Sequence, residues 1–450
     1  MPEVYHGIDG LHLARHVRTG DTVIWGQACA EPRSLTEVLM AQRAAIGRFR
    51  CFVGMPATDT VRPEHADHVS FLSYTGLGGN RALWSAGALD ILPCHYSVLP
   101  ELFFSRQLRI DVALLQLSPP DPHGRYSMGL AEEYVCAALD SARVVIAEVS
   151  PSVPWTYGSR ALTDADLDVV VHTDRPPPEL KRGAAGAVER RIAEHVAGLV
   201  PDGATLQLGL GALPEAILAG LTGHRDLGVH SGMVNDAVAD LMESGAVSNA
   251  RKTTDAGQTV AGVLMGTERL FRYADRNPAI QLRDTRYTHD PRVLAAQHRF
   301  TAINSAIEVD LSGQVNAEVA RGAYVGAVGG AMDFLRGAAR SPGGLPIVAL
   351  PSTTGRPAGP SESAGPAGPS GSGGAGAVGG VGASRIVARL SGPVSTPRAD
   401  AGLIVTEYGV ADLRGQPLRA RHERMLAIAH PDHRAALAAA LDVPQRRAPV

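Results

Sequence analysis

The sequence has few of the residues that mark disulfide-rich, metal-binding or nucleic-acid-binding proteins. Its four cysteines, at positions 29, 51, 94 and 136, form no Cys-x-x-Cys pair, so neither a disulfide framework nor a zinc knuckle is indicated. Only Lys181 and Lys252 are lysines among 42 basic residues, and the net charge is −3. This balance gives no electrostatic reason to expect nucleic acid or an anionic membrane as a partner, and we predict no metal site.

Long apolar runs are also missing. No segment approaches the roughly 18 consecutive apolar residues of a membrane-spanning helix, and the first ten residues lack the charged-then-apolar pattern of a signal peptide. We therefore expect a soluble, cytoplasmic protein with no membrane partner. The length of 450 residues exceeds one ordinary core, which favours two or three domains.

The most informative stretch is 204–237, ATLQLGLGALPEAILAGLTGHRDLGVHSGMVNDA. It predicts a buried strand, a glycine-rich loop, a helix and a second short strand that leads to Gly232. The predicted loop consists of Gly209, Leu210, Gly211, Ala212 and Leu213. In α/β proteins such a loop brings backbone amides to a ligand, and the second strand is expected to end at the same edge of the sheet.

A strand-and-helix pattern occurs twice. The spacing Gly-x-Thr-x-x-x-Gly is found at 20–26 and again at 203–209, and in each copy a proline opens the following helix. Two such units about 180 residues apart predict tandem α/β domains built on one plan. With a boundary in the proline-rich segment 175–179, the predicted domains are residues 1–180 and residues 181–450.

Other segments complete this organisation. The apolar runs Val112–Leu117 and Val144–Val149 predict buried parallel strands. Segments 300–309 and 314–319 suggest a hairpin. Residues 357–383 are almost wholly Pro, Ala, Gly and Ser, which predicts a flexible surface insertion in the second domain.

Several common catalytic motifs are excluded. Segment 209–214 lacks the third glycine of a dinucleotide fingerprint, and neither a P-loop nor a Gly-x-Ser-x-Gly motif occurs. His230 and Ser231 are neighbours on an extended segment, so their side chains point to opposite faces and form no dyad. Two glycine loops remain, 209–213 and 326–330. They fit either close helix–strand packing or a site whose amides bind an anionic or carbonyl-bearing ligand.

A series of short motifs runs through nearly the whole chain. In order they are Glu31-Pro32, 111–121 with His123-Gly124, 202–211, 226–231, 264–266, Asn304-Ser305, Gly329-Gly330 with Asp333-Phe334, 351–353, 384–387, 405–409 and 429–432. As a set they resemble the acetyl-CoA hydrolase/transferase family, which includes 4-hydroxybutyrate and acetate CoA-transferases. The resemblance implies two tandem CoA-transferase-type α/β domains with the active site between them, and acyl-CoA as substrate.

The resemblance also implies roles for individual positions. In that family the stretch matching 230–233 contains a glutamate nucleophile, which forms an acyl anhydride and then a glutamyl-CoA thioester that a carboxylate resolves. The matching position here is Gly232, which has no side chain. The resemblance implies CoA binding by the loop 209–213 and by Gly329 and Gly330. Arg356 stands where relatives often have a lysine that meets the CoA phosphate.

Three hypotheses follow for the reaction. In the first, which we favour, the chain transfers an acyl group from CoA to a small acceptor, which is water, an amine or a hydroxyl compound, and backbone amides stabilise the oxyanion. In the second, it is a CoA-transferase that uses another carboxylate, Glu31 or Glu215. In the third, it binds acyl-CoA without turnover. The acyl group and the assembly state stay open, with a homodimer as one alternative.

Overall fold

The computed structural model describes residues 1–181, 183–355 and 382–441. Its first half contains an eight-stranded sheet in which every neighbouring pair is parallel. In spatial order the strands are Glu3–His6, Val169–His172, Val144–Val149, Val112–Leu117, Thr22–Trp25, Phe49–Phe52, Val69–Ser73 and Leu89–Ile91. The two apolar runs predicted as strands lie side by side at its centre, and every residue of both is buried. Burial on both faces is why they lack polar alternation.

The second half contains a six-stranded sheet. Its strands, in spatial order, are Gly228–Val229, Thr205–Leu208, Phe300–Ser305, Leu345–Ala349, Leu403–Thr406 and Gly409–Asp412. Only the last pair is antiparallel. The hairpin predicted over 300–319 is wrong in its first arm, because Phe300–Ser305 belongs to this sheet. The antiparallel pair is shorter, Glu308–Asp310 with Val315–Asn316, and the Asp310 carboxylate organises its turn by accepting from the Ser312 and Gln314 amides.

Helices surround the two sheets. Their bounds are Arg33–Ile46, Asn80–Ser85, Leu99–Phe104, Glu133–Leu139, Ala187–Ala197, Ala212–Ala219, Asp236–Glu243, Glu268–Ala274, Thr285–Thr288, Pro291–Ala296, Ala331–Arg340, Leu418–Ala427 and Pro431–Leu441. In both copies of the predicted repeat a buried strand feeds a helix, Thr22–Trp25 into Arg33–Ile46 and Thr205–Leu208 into Ala212–Ala219. The mixed α/β fold with mostly parallel sheets is confirmed.

One of the small sheets connects the two halves. Thr259–Ala261 pairs with Ile280–Leu282, which pairs with Tyr157–Gly158 of the first half. Met233–Val234 pairs with Val263–Leu264, and further short pairs join Tyr126–Ser127 to Ala161–Leu162, Glu308–Asp310 to Ile386–Val387 and Val319–Ala320 to Ala323–Tyr324. The predicted division at residue 180 falls between the strand Val169–His172 and the helix Ala187–Ala197, and it stays a prediction. The predicted insertion lies outside the described residues except for Gly382 and Ala383.

Candidate active site

The segment that carries Gly232 is held by backbone hydrogen bonds on both sides. The amide of His230 donates to the Leu206 carbonyl at 3.0 Å, which ties the segment to the strand Thr205–Leu208. The carbonyl of Gly232 accepts from the amides of Gly262, at 3.0 Å, and Val263, at 3.2 Å. Gly232 therefore has a fixed position between the six-stranded sheet and the loop that leads to the first half.

The side chains next to Gly232 point away from each other. The Nε2 atom of His230 lies 3.1 Å from the Thr288 carbonyl oxygen, whereas the Ser231 hydroxyl lies 3.3 Å from the Leu208 carbonyl oxygen. Both side chains are buried, and neither lines the cavity at Gly232. The prediction that these two residues form no dyad is confirmed.

Gly232 lines a cavity of about 180 Å³ between the two halves. The first half contributes Gln27, Met55, Tyr74, Leu77 and Tyr96, and the second contributes Gln207, Leu208, Gly209, Leu210, Gly232, Met233, Val263, Met265, His289, Asn304, Ala327, Gly329, Gly330, Ala331 and Phe334. A larger cleft of about 420 Å³ at Pro151–Pro154 and Phe271 contains none of the predicted site residues. We take the cavity at Gly232 as the candidate active site because both glycine loops reach it.

Five of the predicted site residues meet in this cavity. They are Gly209, Leu210, Gly232, Gly329 and Gly330. The predicted extent of the first glycine loop is wrong, because the loop ends at Gly211 and Ala212 and Leu213 are already the first turn of the helix Ala212–Ala219. Gly211 precedes that helix with a φ of 112°, which an L side chain rarely adopts. Arg356 lies outside the described residues.

The second glycine loop is anchored to the first half of the chain. The amide of Gly76 donates to the Gly326 carbonyl at 2.8 Å, and the amide of Tyr96 donates to the Gly329 carbonyl at 3.0 Å. The hydroxyl of Ser97 donates to the Asp333 carboxylate at 2.8 Å. These contacts fix the start of the helix Ala331–Arg340 beside Gly232. The first amides of that helix have no partner within the helix.

His289 is the ionisable side chain nearest to Gly232. A Cβ atom built on Gly232 would lie 3.3 Å from His289 Cε1 and 3.4 Å from Nε2, and one built on Gly330 would lie 2.6 Å from Nε2. The imidazole packs between Tyr96 and Phe334, with ring centroids 5.0 Å and 4.5 Å away. Burial, together with the nearby His230, lowers the pKa of His289 to about 3, so the ring is neutral at physiological pH.

A buried hydrogen-bond network forms the wall from the first half. The amide group of Gln27 donates to the Glu133 carboxylate at 2.7 Å, and the Tyr96 hydroxyl donates to the same oxygen at 2.7 Å. The Tyr74 hydroxyl donates to Gln27 Oε1 at 2.6 Å. Desolvation, partly opposed by the bonds from Tyr96 and Gln27, raises the pKa of Glu133 to about 7. This residue also has a φ of 20°, and its amide donates to the Gly262 carbonyl at 3.2 Å.

The two carboxylates proposed as replacement nucleophiles lie elsewhere. The Glu31 carboxylate accepts from the hydroxyls of Thr36, at 2.7 Å, and Thr58, at 2.6 Å. Burial raises its pKa despite these bonds. Glu215 is half-buried on the helix Ala212–Ala219. Neither residue lines the cavity that contains Gly232.

The cavity wall has an unusual charge pattern. Among the described residues that line it, no side chain is Asp, Glu, Lys, Arg, Ser or Cys, and the ionisable ones are Tyr74, Tyr96 and His289.

Within 1–181, 183–355 and 382–441 there is no group of three or more potential metal ligands. The same part of the chain contains no helix long and apolar enough to cross a membrane.

Sequence reasoning missed His289, Gln27, Tyr96 and Glu133. His289 ends the short helix Thr285–Thr288, and 56 positions separate it from Gly232. Gln27 directly follows Gly26 in the first copy of the repeat, which is the one signal that would have singled it out. Tyr96 lines the cavity and Glu133 lies behind it, hydrogen-bonded to its hydroxyl, in an arrangement that no local pattern encodes.

Comparisons with known proteins agree with the motifs. The model of the acetyl-CoA hydrolase/transferase N-terminal domain matches residues 8–177, and that of the C-terminal domain matches residues 266–441. A 4-hydroxybutyrate coenzyme A transferase from Clostridium kluyveri is 38% identical over 362 residues, which cover 80% of this chain and 79% of the relative. These matches confirm the resemblance drawn from the sequence.

Solved structures show the same fold over almost the full length. RipA from Yersinia pestis has a TM-score of 0.83 at 31% identity, with 94% of each chain covered. A 4-hydroxybutyrate CoA-transferase from Porphyromonas gingivalis has a TM-score of 0.78 at 31% identity, with 98% of this chain and 97% of that chain covered. The chain belongs to the acetyl-CoA hydrolase/transferase family, and it is an enzyme of this acyl-CoA transferase/hydrolase class.

Proposed function

We propose that the protein transfers the acyl group of a CoA thioester to water, an amine or a hydroxyl compound, instead of moving CoA between two acids. The observation that carries the proposal is the absence of any carboxylate among the described residues that line the cavity at Gly232. Glycine has no atom that can hold an acyl or CoA group, so the covalent route of the related transferases has no nucleophile there.

The rest of the cavity suits direct attack of the acceptor on the thioester, without a covalent enzyme intermediate. Gly330 and Ala331 line it at the start of the helix Ala331–Arg340, whose first intrahelical bond is the 3.2 Å bond from the Phe334 amide to the Gly330 carbonyl. Amides before that bond point out of the helix end, where the dipole is positive. Such donors stabilise the oxyanion that forms when a nucleophile attacks a thioester. Gly209 and Leu210 supply a second stretch of exposed backbone for CoA.

The second hypothesis, a CoA-transferase with a relocated nucleophile, has less support. Glu31 accepts hydrogen bonds from the hydroxyls of Thr36 and Thr58, and neither Glu31 nor Glu215 lines the cavity. The buried carboxylate of Glu133 accepts from Gln27 and Tyr96 and does not line the cavity either.

The test is an assay of CoA release. Purified protein is offered acetyl-CoA and butyryl-CoA with water alone, with hydroxylamine or with ethanolamine, and free thiol is measured while mass spectrometry identifies the acylated product. We expect CoA release with acylated acceptor and no labelled exchange between acetate and acetyl-CoA. The variants Glu31→Gln and Glu215→Gln serve as matched controls and should retain the activity.

Two results would contradict the proposal. One is the absence of CoA release above background with every acceptor. The other is reduction of Glu31 or Glu215 by borohydride during turnover, which would trap an enzyme thioester and support the second hypothesis. Stabilisation by CoA without any turnover would support the third, a non-catalytic binder.

A further inference from the structure

In the described part of the chain, two of the three ionisable side chains that line the cavity use their only hydrogen in a hydrogen bond, and the third, His289, has a ring nitrogen without a partner. The hydroxyl of Tyr74 donates its hydrogen to Gln27 Oε1 at 2.6 Å, and that of Tyr96 donates to the Glu133 carboxylate at 2.7 Å. Within the described part of the chain, His289 Nε2 makes no hydrogen bond. This nitrogen is therefore a polar atom that a ligand beside Gly232 can engage.

The neighbouring threonine determines which ring nitrogen carries the hydrogen. The Thr288 hydroxyl oxygen lies 3.2 Å from the Asp284 carbonyl oxygen, an interaction that requires the hydroxyl to donate. The same oxygen lies 2.8 Å from His289 Nδ1. A hydroxyl has one hydrogen, so both contacts are satisfied when the hydroxyl donates to Asp284 and accepts from Nδ1–H. We assign this tautomer, in which Nε2 of the neutral ring keeps its lone pair.

The lone pair is directed at the space beside Gly232 and Gly330. Nε2 lies 3.4 Å from the Cβ position of residue 232 and 2.6 Å from that of residue 330. Tyr96 and Phe334 hold the ring from its two faces, and only 3% of His289 is exposed. Two residues without side chains thus create the opening that a small molecule needs to reach this nitrogen.

The composition of the cavity restricts the acceptor. Among the described residues that line it there is no lysine or arginine to pair with an ionised acid. An ionised acid also has no hydrogen for Nε2 to take, whereas a neutral molecule with an O–H or N–H group does. The ring that would receive its hydrogen is neutral, because burial lowers the pKa of His289 to about 3.

We infer that His289 is a catalytic base of this enzyme, which takes the proton from a neutral hydroxyl or amine acceptor bound beside Gly232. The inference rests on the proposed function. The acceptor oxygen or nitrogen attacks the thioester carbonyl carbon, the carbonyl π electrons move to oxygen, and the acceptor proton passes to Nε2. Collapse of the oxyanion breaks the carbon–sulfur bond, and Nε2 returns the proton to the CoA thiolate. The imidazolium forms only while the oxyanion is beside it.

The experiment compares the full-length protein with His289→Gln and with His298→Gln, an exposed histidine on the following segment. Acetyl-CoA and butyryl-CoA are the donors, and water, hydroxylamine and ethanolamine are the acceptors. We expect His289→Gln to lower kcat by a factor on the order of 10² to 10⁴ with little change in KM for acyl-CoA. His298→Gln should retain the wild-type kcat. Added imidazole should restore part of the turnover of His289→Gly.

A second readout does not depend on the variants. The nitrogen-15 shifts of the wild-type His289 ring report its tautomer, and we expect Nδ1–H with an unprotonated Nε2. A wild-type chain that turns over while His289→Gln keeps its kcat would overturn this inference alone, as would an Nε2–H tautomer. A wild-type chain that releases no CoA would overturn the proposed function and this inference with it.

Discussion

Replacement of Gly232 by glutamate is the sharpest test of how this cavity works. Gly232 is not among the glycines with positive φ, so an L residue can adopt its backbone conformation. The new Cβ would lie 3.3 Å from His289 Cε1, 3.4 Å from Nε2 and 3.6 Å from Phe334 Cε2. The first two contacts are tight, so the imidazole must move by a few tenths of an ångström. The remaining atoms of the side chain extend into the cavity of about 180 Å³.

The stability cost of this change should be small. Crowding of a packed site costs about 1–3 kcal/mol. Loss of glycine's freedom in the unfolded chain offsets about 0.4–1 kcal/mol of that. We therefore expect Gly232→Glu to fold, with Tm lowered by less than about 10 °C. Thermal unfolding followed by circular dichroism measures this directly, and Gly232→Gln provides the control of matched size.

The effect of Gly232→Glu on activity should be large, in contrast to its small effect on stability. Loss of a covalent nucleophile can cost a factor on the order of 10⁶ in kcat, so its restoration leaves much to regain even when the carboxylate is imperfectly oriented. We expect Gly232→Glu to exchange labelled acetate into acetyl-CoA at a rate at least on the order of 10² above the wild-type chain. Gly232→Gln should show no such gain, because an amide is not a nucleophile for the thioester.

The refuting result is specific. If Gly232→Glu folds, is stabilised by CoA and still shows neither acid exchange nor a borohydride-trapped glutamyl thioester, then the cavity does not retain a transferase site. The absence of a side chain at 232 would then not explain a wild-type chain that exchanges no acids. The assignment of position 232 from the family motif would lose its functional meaning.

Three further predictions concern residues around the cavity. Burial raises the Glu133 pKa to about 7, so the folded state holds a proton that the unfolded state releases near 4.5. The contribution of this group to the free energy of unfolding therefore falls by about 3 kcal/mol as pH rises from about 4.5 to about 7. Urea unfolding of Glu133→Gln should lack that fall. Gly330→Ala places a Cβ 2.6 Å from His289 Nε2, so the ring must shift. The rate of CoA release should therefore drop at least tenfold while the far-ultraviolet circular dichroism spectrum stays unchanged. Full activity would contradict the position of the ring. The Lys252 amino group donates to the Val229 carbonyl at 2.9 Å, and burial lowers its pKa to about 7. The free energy of unfolding should therefore gain from this group as pH rises from about 7 to about 10. Lys252→Met should lose that gain in the same urea unfolding experiment.

The elements that could be predicted from the sequence are those with a local pattern. The uninterrupted apolar runs Val112–Leu117 and Val144–Val149 predict buried strands because parallel strands are covered on both faces. The loop ahead of Ala212–Ala219 was predicted two residues too long, because alanine and leucine fit a first helical turn as well as a loop. The hairpin at 300–319 was wrong in one arm because apolar strand patterns do not say which sheet a strand joins.

The parts of the site that could not be predicted depend on contacts between the two halves. Glu132 and Glu133 look like the exposed first turn of a helix, yet both are buried, at 0% and 1% exposure. Their burial comes from the Gly262 loop of the second half, whose carbonyl accepts from both amides. His289 and the adjacent Asp290 match none of the catalytic motifs considered, and only the folded chain brings His289 to Gly232.

Gly232 and His289 are linked because they share one space. A side chain at 232 begins 3.3–3.4 Å from the imidazole edge, so a carboxylate there would contact the ring that the glycine leaves open. The two groups support different acceptors. A carboxylate nucleophile forms its own covalent bond to the acyl carbon and is then released by another acid. An imidazole only moves a proton, so the acceptor must supply the attacking atom together with a hydrogen. An ionised acid has no hydrogen to give, whereas water, an alcohol or an amine does. A glycine at 232 beside an imidazole with an open Nε2 lone pair would therefore favour neutral acceptors over acids.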